Sequence, residues 1–145
     1  MRMTKLVMVM CGIALIGCAA GQSRTYDVTV ENRTDRTVTL WLTKDGPPEE
    51  QGWRSPEQLA EHRQDGAVKY DMASVPPGRK ADTGTLKGHF AGGTNAVLRV
   101  YDGAPDLSEL MSGDKTRDRA DYILAPGTNR LAVVDRDGKL NVLKE

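Results

Sequence analysis

The sequence predicts an all-β protein, an antiparallel β-sandwich of seven or eight short strands with a short helical insertion. Three observations carry this. Apolar and polar residues alternate in short runs, as in Tyr26-Asp27-Val28-Thr29-Val30-Glu31, which is the two-residue period of a half-buried strand. Turn signals such as Asp45-Gly46-Pro47-Pro48, Pro76-Pro77-Gly78 and Asp102-Gly103 recur along the chain. Helix start signals are few, and the segments behind them are short.

The strands follow in order. Tyr26 to Glu31 turns Tyr26, Val28 and Val30 to one face, and Asn32 to Arg36 is a polar turn. Thr37 to Thr43 places Val38, Leu40 and Leu42 inward and Trp41 on the opposite face. Asp-Gly followed by two prolines ends that strand, because proline cannot donate to a ladder. Ser55-Pro56-Glu57-Gln58 has an N-cap serine, a proline at the first helical position and a capping-box glutamine. A helix of about two turns to Gln64 is expected, stopped by Asp65-Gly66.

Ala67 to Val75 is a third strand, with Val68, Tyr70 and Met72 on one face. Ala81 to Phe90 is interrupted by Gly84 and Gly88, which suggest bends or bulges. Ala96 to Tyr101 is apolar on nearly both faces, as a central strand would be. Asp106, with Glu109 three residues on, caps a single helical turn that Gly113 stops, and a charged loop runs from Asp114 to Asp121. Tyr122 to Ala125 is a strand. Leu131–Val134 and Leu140–Leu143 flank Asp135-Arg136-Asp137-Gly138 as a hairpin. The pattern fits a sandwich of immunoglobulin-like or transthyretin-like type.

Ahead of this domain stands a different kind of segment. Arg2 and Lys5 make a short positive region, and the eleven residues Leu6 to Ile16 are apolar or small. That length suits the core of a secretory signal and falls short of the ~20 residues needed to span a bilayer. The run ends in Leu15-Ile16-Gly17-Cys18, which resembles the lipobox of bacterial lipoproteins at all four positions. The resemblance implies that residues 1–17 are a signal peptide and that Cys18 carries lipid. Two or three acyl chains would hold the protein stably, each methylene contributing about 0.8 kcal/mol. In that family the residue after the cysteine sorts the product. Ala19 is not aspartate, so the implied destination is the periplasmic side of the outer membrane where there are two membranes. The competing reading is ordinary cleavage near Ala19 or Ala20, releasing a soluble protein. Residues 18–24 read as a lipidated tether and residues 25–145 as the sandwich domain.

Composition then excludes several functions. Cleavage takes away Arg2 and Lys5, leaving 18 Lys+Arg against 20 Asp+Glu, a net charge of −2. No polybasic patch is present to attract nucleic acid. Cys11 leaves with the signal and Cys18 is lipidated, so neither a disulfide nor a thiolate metal site is expected. His62 and His89 lack a second ligand at helical spacing, and no metal or cofactor is expected. Asp135-x-Asp137-Gly138 has part of a calcium-loop pattern, but the chain ends before the bidentate glutamate that loop requires. Gly84-x3-Gly88-x3-Gly92-Gly93 lacks the Gly-Lys-Ser/Thr of a phosphate loop, and no Gly-x-Ser-x-Gly elbow exists. Asn32-Arg33-Thr34 matches a glycosylation sequon, a coincidence in a bacterial lipoprotein.

The stretch Gly46 to Gly66 is longer than a β connection needs and contains Trp53. Trp41 and Trp53 are therefore candidate protein contacts. The structural alternative is that the helix simply covers them. The expected function is a membrane-anchored, non-catalytic binding or scaffolding module, its partners being the membrane, through Cys18, and an envelope protein. The runner-up is an envelope hydrolase or small-ligand binder built from scattered Asp, Glu and His. The layout of lipobox, short strands and helical insertion resembles that of the small transthyretin-like outer-membrane lipoproteins of secretion-system baseplates, without a shared motif.

Overall fold

A computed structural model describes residues 21–62 and 72–145. The expected signal peptide, the lipobox-like stretch with Cys18, the expected helix end at Gln64 and the strand residues 67–71 lie outside these. The elements are β1 (Gln22–Asn32), β2 (Val38–Lys44), α1 (Pro56–Glu61), β3 (Met72–Val75), β4 (Lys80–Phe90), β5 (Ala96–Asp102), α2 (Leu107–Met111), β6 (Arg119–Leu124), β7 (Gly127–Arg136) and β8 (Lys139–Lys144). They form two four-stranded sheets, ordered β4-β1-β7-β8 and β3-β2-β5-β6.

This is the expected all-β sandwich, and β5 is the expected central strand, paired with β2 and β6. Its strand order is not that of an immunoglobulin sandwich, which keeps its first two strands in one sheet. Here β1 and β2 lie in opposite sheets. The pairing departs from a wholly antiparallel sandwich in one place, since β1 and β7 run parallel.

The inner faces meet in one core. Tyr26, Val28 and Val30 of β1 and Leu131 and Val133 of β7 face Val38, Leu40, Leu42, Leu98 and Val100 of the other sheet. The alternation read in β1 and β2 is therefore the core pattern. The outer face of β2 is also buried, because α1 and α2 lie over it; Trp41, Leu59, Tyr101 and Leu110 form that second cluster.

Strand bounds differ where pairing overrides pattern. β1 begins at Gln22, so Gln22, Ser23 and Arg24, assigned to the tether, belong to the sheet opposite Phe90, His89 and Gly88. Their side chains are largely exposed, which is why no alternation marks them. β6 begins at Arg119, inside the segment read as a charged loop, for the same reason. Gly84 (φ +65°) sits at an irregularity where β4 has an extra residue opposite β1, the predicted bulge. The β7–β8 hairpin closes through Asp137 (φ 54°) and Gly138 (φ 79°) between the paired Arg136 and Lys139, a two-residue type I′ turn.

The registers define two ends. At one, β1 begins and β2 ends, and Lys44 Nζ donates to the His89 carbonyl at 2.7 Å, linking the sheets. At the other, β1 ends and β2 begins. Asn32 is buried there. Its amide donates to the carbonyls of Arg36 and Val75, and its Oδ1 accepts from the Thr34 amide and hydroxyl. A residue so engaged is a structural pin and not a glycosylation acceptor. At this second end Asp118 Oδ2 also accepts from the Leu140 amide at 2.8 Å, occupying an edge donor of β8.

Candidate functional site

Neither predicted tryptophan contact is on the surface. Trp41 is 0 % exposed beneath α1, and its indole N–H donates to the Arg54 carbonyl. Trp53, 5 % exposed, is not under the helix but enters the main core, edge-to-face with Tyr26 and Phe90 at 5.7 and 5.4 Å. Burying a tryptophan contributes about 5 kcal/mol, which is what the 46–62 insertion supplies to the fold. As protein contacts both residues are corrected: the insertion wraps them instead of displaying them.

The insertion is held by a buried ion pair. The Lys44 side chain is 3 % exposed, and its three hydrogens go to Pro48 O, His89 O and Glu50 Oε2. Burial pushes the Glu50 carboxyl up, but the His89 amide and Lys44 outweigh it and hold it below its ordinary value. His89 Nδ1 lies 3.2 Å from Glu50, and His62 Nδ1 3.7 Å from Glu49. The two histidines thus serve adjacent glutamates of the insertion. Among the described residues no group of three or more His, Cys, Asp and Glu is arranged to hold a metal.

The sizeable concavity lies at the second end of the sandwich. It is a groove of about 720 Å³ between α1, α2, the 113–119 loop and the β7–β8 turn. Tyr101 and Leu110, both largely buried, contribute apolar surface to its lining. Glu57 enters from the first turn of α1, placed by the Ser55 cap, and Glu109 from α2, where it also closes the capping box with Asp106. Both helices exist because of these caps: with fewer than two turns each, neither would persist alone.

The acids of the groove are engaged. Glu57 bonds Arg99 at 2.7 Å and has Arg119 at 3.9 Å. Burial pushes its carboxyl up, but Arg99, its own amide and Ser55 bring it net down. Asp114 accepts from the hydroxyl and amide of Thr116, which lower it. Asp118 holds Leu140, and Arg117 donates to the Asp102 carbonyl at 2.8 Å. Lys115 and Lys139 are exposed lining residues, and among the described residues neither side chain has a hydrogen bond or ion pair.

The groove was not legible in the sequence. Its residues come from positions 57, 101, 109–110, 113–119 and 138–139, brought together only by the strand order. The capping boxes at 55–58 and 106–109 were its one local signal. No family model matches this chain, and no curated protein matches it.

Proposed function

We propose that the chain is a membrane-anchored lipoprotein of the cell envelope whose sandwich domain binds or scaffolds another envelope component without catalysis. The observation that supports this best is Leu15-Ile16-Gly17-Cys18 standing just ahead of β1. A protein held on a surface by lipid acts through what it presents to neighbours there, and the groove is a shaped surface available for that. A hydrolytic reading draws on the four carboxylates of the groove. It would require one of them to keep its proton near neutral pH. Glu57 and Asp114 are instead pushed down, which suits carboxylates that pair and position.

The test has two parts. Mass spectrometry of the mature N-terminus is expected to find diacylglycerol on Cys18, and Cys18→Ala to release the protein from the membrane. A photo-reactive residue at Lys115 or Lys139 is expected to cross-link one dominant envelope protein, with the adduct lost in Cys18→Ala. An acylated protein with no adduct at either position overturns the groove as a protein contact.

A further inference from the structure

We infer that the end of the sandwich where β1 begins rests against the lipid headgroups, and that the groove is turned away from the membrane. This depends on the lipid anchor proposed above. β1 starts at Gln22, so only residues 19–21 separate it from Cys18. Four Cα steps reach at most ~15 Å even when fully extended. An acylated Cys18 lies at the bilayer surface, so the first end of the sandwich cannot leave it.

The surface of that end suits the contact. Gly21 sits against Pro48 and the His89–Phe90 backbone, so the tether emerges among the loops of this end. Two of its connections, Ala91–Asn95 and Ala125–Pro126, carry no charged residue. The third runs from 45 to 71 and is described to His62; its 45–55 stretch carries Asp45, Glu49, Glu50 and Arg54, all internally engaged: Asp45 with the Asn95 amide, Glu49 with Arg54 at 2.7 Å, Glu50 with Lys44. Free charges are costly to strip of water, and each charged residue described at 45–55 has a partner. The far end carries more charge in its turns, with Arg33, Asp35, Arg36, Arg79, Asp114, Lys115, Arg117, Asp118, Arg136 and Asp137, of which Lys115 is exposed without a hydrogen bond or ion pair among the described residues. Among the described residues the near end shows no cluster of free basic residues, so the tether and not attraction to anionic lipid is taken to set the contact. The groove, built at the far end, then opens toward components off the membrane.

The experiment uses the lipidated chain in vesicles of phosphatidylcholine and phosphatidylethanolamine. The thioether at Cys18 leaves no free thiol, so a single new cysteine can be labelled with an environment-sensitive fluorophore. Gly92→Cys and Ala125→Cys report the near end; both positions are exposed, and a Cβ at Gly92 meets nothing within 4 Å. Arg79→Cys and Lys115→Cys report the far end. With headgroup spin-labelled lipid, quenching is expected to be several-fold stronger at 92 and 125 than at 79 and 115. Equal quenching at the two ends, or the reverse order, in a protein whose Cys18 is acylated overturns the orientation. An unacylated Cys18, read by mass on the same sample, instead overturns the anchor itself.

Discussion

A Cβ placed on Gly88 would stand 2.7 Å from Trp53 Nε1 and 2.9 Å from Cε2, so the glycine is there to let the indole lie on β4. The same indole N–H donates to the Lys87 carbonyl, which fixes the ring in place and leaves it little room to retreat. Gly88→Ala is expected to cost about 2 kcal/mol through overpacking, read as a lower urea midpoint, whereas Gly92→Ala, in open space, leaves the midpoint unchanged. Asn32→Asp keeps the side-chain shape but removes both donors from the Arg36 and Val75 carbonyls and adds a buried charge; a loss of about 3 kcal/mol is expected in the same measurement. Glu50 gives a pH signature. Its folded-state value is held below the ordinary 4.5, so its contribution is present above the unfolded value and is lost as pH falls through the folded one. Glu50→Gln is therefore expected to lower stability at neutral pH by about 2 kcal/mol, with the gap to the parent protein closing as pH falls through the folded-state value, below the ordinary 4.5. A gap that stays constant between neutral and acid pH would show that the Lys44–Glu50 charge contributes nothing.

At the scale of elements, what could be read locally is what chain-local physics decides. Two-residue alternation marked β1 and β2 because their inner faces meet the core, and serine and aspartate caps marked α1 and α2 because their orphan amides need acceptors. Gln22–Arg24 and Arg119–Asp121 escaped because their strand state comes from ladder bonds to β4 and β5, and largely exposed side chains leave no pattern. Gly84 and Gly88 looked alike in sequence yet serve different ends, one a bulge and one a bed for Trp53; only the partner across the sheet distinguishes them. The β7–β8 turn was legible because type I′ geometry requires positive φ at both central residues, and Asp-Gly supplies it. Gly138→Ala is expected to cost about 1–2 kcal/mol by placing a Cβ in the left-handed region, measured by thermal or urea unfolding. Because Gly138 also borders the groove, that variant should additionally weaken any cross-link formed from Lys139.

For the whole molecule, the sandwich divides its charge between its ends. Among the described residues, one has loops that are uncharged or internally paired, and the other gathers many more charged residues, some paired and some free, around a groove with an apolar patch in its lining. Strand order causes this. Each strand carries the chain from one end to the other, so successive connections alternate between the ends and residues far apart in sequence gather at one of them. If the short tether is what turns the near end to the membrane, lengthening it should release the orientation without touching the fold. Twenty Gly/Ser residues inserted between Ala20 and Gly21 add a coil of about 25 Å root-mean-square length, more than the ~15 Å the native segment can reach. Acylation and the urea midpoint are expected to stay as they were, while quenching at 92 and 125 falls to the level at 79 and 115. If the difference between the ends survives the spacer, the near end adheres to lipid by its own surface, and the tether's length is not what orients the domain.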